Sequence, residues 1–234
     1  MVKIKGLDFT VGADPEVFII DKRNQRWVNP INFTDGTKEN PERIDDGFSL
    51  QVDGLALEIN LPPARLKKEF LSIAKKGLSL IEKRIGKSNR IFRNTTMHIT
   101  PRVWDDIDPK QKELGCAPDY DAVTGEIRTL LKHPKRIRFA GGHIHIGWGE
   151  GFDVNDPEVI NAGRILSNSL ANQRFLKSLD NCTDRTRYYG AGVCFRPKPY
   201  GTEFRKPSCR WFVGPYRHSS TWDDVKRGIT EAMG

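Results

Sequence analysis

Four short segments, far apart in the chain, alternate polar and apolar residues with a period of two. Residues 55–61 set Leu55, Leu57, Ile59 and Leu61 against Ala56, Glu58 and Asn60. Residues 143–148 set His143 and His145 against Ile144 and Ile146. Residues 202–205 set Glu203 and Arg205 against Phe204, and residues 11–20 are apolar except at Asp14-Pro15-Glu16. Successive side chains of a strand point to opposite faces. Each segment therefore reads as a strand with an apolar back and a pair of functional groups in front. Pro15 predicts the beginning of a strand or an edge position, because it has no N–H for a ladder. If the four strands share one antiparallel sheet, their polar pairs line a single face. That face gathers Asp14, Glu16, Glu58, His143, His145 and Glu203, a donor set suited to divalent metal, with Arg205 beside it for phosphate.

Helical spacing appears in three other places. Phe70, Ala74, Leu78, Ile81 and Ile85 predict a helix over 65–85, preceded by Pro62-Pro63 and followed by Gly86. Ile160, Ile165, Leu166, Leu170 and Leu176 predict one over 157–179, with Pro157 in its first turn and an Asn155–Glu158 capping box. A shorter helix is expected over about 222–232, capped near Ser220 or Thr221. No repeat or linker divides the 234 residues, so they read as one domain, 1–234. The fold class expected is α+β.

Charge is uneven within a net +8. Residues 65–102 carry eleven Lys/Arg against Glu69 and Glu82, on the expected first helix, where a solvated face is the plain reading. Residues 185–217 carry eight Lys/Arg against Glu203 alone, in a segment rich in Gly, Pro and aromatics. A compact basic segment beside clustered acids suits a polyphosphate held through metal ions; a nucleic-acid surface is the competing reading. The four cysteines, Cys116, Cys182, Cys194 and Cys209, have no C-x-x-C spacing and read as free thiols. There is neither a P-loop nor a G-x-G-x-x-G motif. Residues 1–8 lack the apolar run of a signal peptide, and no run spans a membrane, which predicts a cytoplasmic protein.

Singly the motifs are weak. Acids such as Asp14 and Glu16 are common on surface strands, and a lone histidine is more often structural. Two histidines on one strand face, framed by Gly141-Gly142 and Gly147, point more sharply to metal or phosphate. An acid at the centre of a clean strand, Glu58, needs a partner. A cluster of such acids is mutually repulsive, so removing Glu203 is expected to leave the fold intact or more stable.

Five segments in order resemble a known family. Gly12-Ala13-Asp14-Pro15-Glu16-Val17-Phe18, Asp53-Gly54-Leu55-Ala56-Leu57-Glu58-Ile59-Asn60-Leu61-Pro62-Pro63, Gly115-Cys116-Ala117-Pro118-Asp119, Gly142-His143-Ile144-His145-Ile146-Gly147 and Tyr200-Gly201-Thr202-Glu203-Phe204-Arg205 are similar to the COOH–NH2 ligase (amidoligase) type 2 proteins. Those occur largely in tailed bacteriophages and form a branch of the glutamine synthetase and glutamate–cysteine ligase superfamily. The resemblance implies a large, mostly antiparallel sheet forming a funnel-shaped active site backed by helices. It implies ATP and two or three Mg²⁺, with Mn²⁺ as a substitute, and small-molecule or peptide carboxylate and amine substrates. Membrane and nucleic acid are not expected partners; a homo-oligomer is compatible with the resemblance, since the glutamine synthetase branch forms rings, but the sequence does not give the oligomeric state.

By this resemblance Asp14, Glu16, Glu58, His143 and Glu203 bind metal, and Arg187, Arg196, Arg205 and Arg210 hold phosphates. Arg205 and Arg187 then serve the transfer itself, while His145 faces the substrate. The family's second acidic motif has a further Glu seven residues before the position of Glu58; here that position is Gln51, and Asp53 is the substitute at hand. The expected activity is ATP-dependent amide-bond formation through an acyl phosphate. Two alternatives stand beside it: a metal-dependent amide hydrolase, and an inactive basic virion or nucleic-acid-binding protein.

Overall fold

A computed structural model of the chain describes residues 8–113, 119–128, 135–179 and 193–234. The first half contributes strands β1 (Thr10–Val17), β2 (Ile19–Asp21), β3 (Trp27–Val28), β4 (Glu42–Asp45), β5 (Phe48–Asp53) and β6 (Ala56–Ala64). Helix α1 (Lys67–Ile85), β7 (Asn89–Ile91), β8 (Thr96–His98) and the short helices α2 (Pro101–Asp106) and α3 (Pro109–Lys112) follow. The second half adds β9 (Asp119–Asp121), β10 (Ile127–Arg128), β11 (Ile137–Phe139) and β12 (Gly142–Gly147). Helices α4 (Pro157–Asn172) and α5 (Arg174–Ser178), strands β13 (Cys194–Lys198) and β14 (Gly201–Phe204), and helix α6 (Arg217–Met233) complete it.

Nine strands form one sheet in the order β10-β9-β13-β14-β12-β1-β6-β5-β4, and the pairings are antiparallel. Chain neighbours are therefore not the main sheet neighbours. β1 lies between β12 and β6, so residues as distant in the chain as Asp14 and His143 meet side by side. The apolar back of the sheet, with Val11, Leu57, Ile59, Ile144, Ile146, Phe195 and Phe204 buried, belongs to one continuous core. Helix α1 covers β6, α4 covers β13 and β14, and α6 packs against both helices. The stripe Phe70, Ala74, Gly77, Ile81 and Ile85 buries α1 on the sheet; a Cβ at Gly77 would strike Leu61, so glycine sets how closely the helix approaches. The α+β expectation, a large antiparallel sheet backed by helices, holds. No helix among the described residues is long and apolar enough to cross a membrane.

Several boundaries differ from the sequence reading, each for a local reason. The strand expected over 11–20 divides at Phe18, and β2 leaves the large sheet to pair with β3 and β7. Pro15 occupies the central strand rather than an edge, opposite Gly142, and the neighbouring Glu16 N–H donates to the Gly141 carbonyl. The 157–179 helix divides at Gln173, and its cap is Asp156, not Asn155: the Asp156 carboxylate accepts from the Glu158 N–H. The last helix begins at Arg217. Thr221, a candidate cap, instead lies inside it and donates its hydroxyl to the Arg217 carbonyl.

Candidate metal centre

The register of the central strands assembles the polar face. Asp14 lies opposite His143, Glu16 opposite Glu58, His145 opposite Glu203, and Glu203 opposite Arg196. Gln51 lies opposite Glu58 on the far side. Because every strand alternates, these partners share the face away from the helices. Gly141 keeps the end of that face open: a Cβ there would collide with the His143 imidazole and crowd the Glu16 carboxylate.

The groups resolve into two trios rather than one cluster. Asp14, His143 and Glu203 form the first, and Glu16, Asp53 and Glu58 the second; within each, one donor atom per residue lies within 4.8 Å of the others. Asp53 thus takes the place beside Glu58 that Gln51 leaves, while Gln51 donates its amide to Glu58 at 2.9 Å.

The first trio is embedded in cations. His143 Nδ1 is 3.3 Å from Asp14 and 3.5 Å from Glu203. Glu203 is ion-paired to Arg205, to Lys198 at 2.7 Å and to Arg196 at 3.6 Å. Asp119, opening β9, anchors both guanidinium groups, at 2.8 Å from Arg196 and 3.1 Å from Arg205. Burial would raise the Glu203 carboxyl, but Arg205 and the two histidines hold it far below the usual carboxylate range. The same contest leaves Asp14 well below its usual value, because His145 and His143 outweigh its burial. His145 bridges outward: Nε2 lies 3.0 Å from Asp14, and Nδ1 hydrogen-bonds the Tyr200 hydroxyl. Its imidazole is pushed up despite burial, mainly by Asp14.

Among the described residues the second trio is ion-paired to Lys38, 2.8 Å from Asp53. Burial raises the Glu16 carboxyl, and Asp53 raises it further. Glu58 is raised well above its usual value by burial and by repulsion from Asp14, Asp53 and Glu16.

Of the residues expected at the site, Asp14, Glu16, Glu58, His143, His145, Glu203, Arg196 and Arg205 all reach this face. Arg187 lies outside the described residues, as do Cys116 and Cys182. Arg210 sits on the single turn Cys209–Trp211, and its carbonyl accepts from Arg217; among the described contacts its side chain does not join the trios. Cys194 and Cys209 are buried. Sequence reasoning missed Lys198, Tyr200 and Lys38. The signal for the first was present: Arg196-Pro197-Lys198 has the same two-residue spacing as the functional pairs, but its prolines and glycine read as a loop.

Both trios fit a hard divalent cation. Two ligands of one Mg²⁺ or Ca²⁺ lie at most about 4–5 Å apart, given metal–oxygen distances of about 2.0–2.6 Å, and each trio meets that spacing. The all-carboxylate trio is the more demanding, since its own charge is what a cation would relieve. No family model matches the sequence, and no curated protein matches it.

Proposed function

We propose that the chain is an ATP- and Mg²⁺-dependent carboxylate–amine ligase with a glutamine-synthetase-like catalytic sheet. The observation that carries the proposal is the joining, on one face, of two divalent-cation trios with a cationic bank of Arg196, Lys198 and Arg205. That combination suits a triphosphate whose terminal group is transferred, since catalysis of phosphoryl transfer is mostly positioning and charge neutralisation. An amide hydrolase has no polyanion for such a bank to meet.

Bound Mg²⁺ would neutralise the triphosphate and the charge developing on departing ADP. Asp14, His143 and Glu203 would hold one ion, and Glu16, Asp53 and Glu58 another. Arg205 serves the transferring phosphate, and its Nε donates to Asp119 at 3.1 Å, which anchors the guanidinium. Arg196 and Lys198 extend the bank along β13. His145, fixed between Asp14 and Tyr200, presents its ring to the substrate side.

In the reaction a substrate carboxylate oxygen attacks the γ-phosphorus and ADP leaves. The amine then attacks the acyl carbon, loses a proton, and expels phosphate with the original carboxylate oxygen. A substrate carrying ¹⁸O in its carboxylate should therefore yield ¹⁸O-phosphate together with ADP, read by mass spectrometry. Label in AMP would replace the mechanism with adenylation; amide change with no label in any product would remove the ligase reading.

A further inference from the structure

Each carboxyl of the second trio meets a donor, and the donors are of two kinds. The Gly141 N–H donates to Glu16 at 2.8 Å, and the Gln51 amide donates to Glu58 at 2.9 Å. Both are neutral and both are fixed. The first is backbone, and the second is held from behind, because Asn60 donates to the Gln51 oxygen at 3.2 Å. The donor on Asp53 is different. It is the Lys38 ammonium, at 2.8 Å, and it carries charge.

Lys38 is anchored by its backbone and exposed at its tip. In its turn the Thr37 N–H donates to the Asn40 carbonyl and the Asn40 N–H to the Thr37 hydroxyl, each at 3.1 Å. The turn is tied to β5, where the Val52 N–H donates to the Gly36 carbonyl at 2.9 Å, and a Cβ at Gly36 would strike the Leu50 carbonyl. The lysine side chain is 43% exposed, so it has a way out to water. It is a compact charge on a flexible four-carbon stem. Burial would lower its pKa, but Asp53, Glu58 and Glu16 together raise it, so the ammonium answers to the whole trio. One ammonium does not balance three carboxylates, and a divalent ion balances more. The two compete for one place. An ion bound through Asp53 would lie about 2.0–2.6 Å from its oxygen, beside an ammonium 2.8 Å from the same carboxylate. Even on opposite oxygens, two cations so close repel strongly in a buried site.

We propose that Lys38 is the resident counter-ion of the second trio: it holds Asp53 when no ion is bound, a divalent ion must displace it, and it thereby sets the ion concentration at which the site fills. The proposal rests on the second trio as an ion site and not on the ligase chemistry, so the experiment omits ATP, amine and carboxylate. Mn²⁺ would be titrated into the full chain, with free ion read by its EPR signal. Glu58→Gln identifies the second trio as the class of site it abolishes or weakens most. In Lys38→Met, which keeps the stem and drops the charge, that class should bind about tenfold more tightly, the low end of what partners of metal ligands are worth. In Lys38→Arg, which keeps the charge in a fork matched to carboxylate, it should bind at least about threefold more weakly. The Asp14, His143 and Glu203 class should hold its affinity in both. Lys75→Met, on the exposed face of α1, changes net charge as Lys38→Met does and should alter neither class. Unchanged or weaker binding in Lys38→Met would overturn the proposal. So would an affinity in Lys38→Arg equal to that of the native chain, or tightening by Lys75→Met as large as that by Lys38→Met, since either would reduce Lys38 to a share of the general field. A titration in which Glu58→Gln affects no class would remove the second trio as an ion site and the proposal with it. The ¹⁸O experiment judges the ligase reading separately.

Discussion

The two trios stand side by side on one sheet face, each with two buried members and one half-buried, and their electrostatics run in opposite directions. Asp14, His143 and Glu203 are surrounded by cations the chain itself supplies, and both carboxyls are pulled below their usual range. Glu16, Asp53 and Glu58 have Lys38 in contact, and two of their carboxyls are pushed up. One trio is complete in charge without an ion; the other is not. The difference traces to neighbours in the sheet. β14 and β13 bring Arg205, Arg196 and Lys198 to one side of the face, whereas β5 brings Gln51 and Asp53 to the other.

The largest expected effect is on stability, and it has opposite signs in the two trios. Glu203→Gln leaves the half-buried Arg205 and Lys198 beside a neutral amide. Breaking a pair at the buried Glu203 in this way costs up to about 3–5 kcal/mol, against the expectation that removing Glu203 relieves repulsion. Glu58→Gln keeps the shape and removes one of three crowded carboxylates, so it should stabilise the metal-free protein by on the order of 1 kcal/mol. Urea unfolding of both variants in EDTA at neutral pH measures the two shifts. Shifts of the same sign would mean that the trios do not differ as described.

How much of this contrast was legible in sequence depends on the range of each signal. Period-two alternation is local, so the strands bearing Glu58, His143, His145 and Glu203 could be read directly. The division into trios could not, because it depends on register between strands distant in the chain, Asp14 with His143 and Glu16 with Glu58. Compensation was hidden for a related reason. Lys198 approaches Glu203 across the β13–β14 hairpin, and the prolines at 197 and 199 disguised that strand. Asp53 was readable as a stand-in for the residue at Gln51 only through the family resemblance, whose pattern has an acid at that position. The break at Phe18 had no local sign: β2 leaves the sheet because β3 and β7 offer it other partners.

A smaller effect, in pH, sharpens the same contrast. Glu16 and Glu58 have folded values above their unfolded ones. Between the ordinary carboxylate value and the raised one, the folded state binds more protons than the unfolded, so their contribution to metal-free stability falls as pH rises. Asp14 and Glu203 behave in reverse. Their contribution is present above the unfolded carboxylate value and is lost only as pH falls toward their lowered folded values. Melting temperature against pH in EDTA should therefore decline on the alkaline side of the ordinary carboxylate range. Mg²⁺ should lift that decline, by about 2.7 kcal/mol at a hundred times its Kd, and should do so much less in Glu58→Gln. A Mg²⁺ response retained in full by Glu58→Gln would place the ion elsewhere.

The smallest expected effect compares two basic regions instead of two acidic ones. Helix α1 carries more positive charge than the β13–β14 hairpin, yet its cations are spread over an exposed surface. Lys67 pairs with Asp223, Lys76 with Asp45 and Arg84 with Glu42, all partly solvated. Exposed pairs of this kind contribute about 0–1 kcal/mol. Lys75→Ala and Lys83→Ala should leave stability within about 0.5 kcal/mol and ATP-dependent phosphate release unchanged, whereas Lys198→Ala, which removes a cation 2.7 Å from Glu203, should lower phosphate release. The pairing matters because all three variants change net charge equally. If function followed net charge, as a phosphate-backbone surface requires, the α1 variants would lose as much as Lys198→Ala, and their binding to nucleic acid would weaken in step. Equal losses would move the nucleic-acid reading ahead of the ligase. A loss confined to Lys198→Ala ties function to the place of a charge on the sheet face rather than to the sum of charges over the chain.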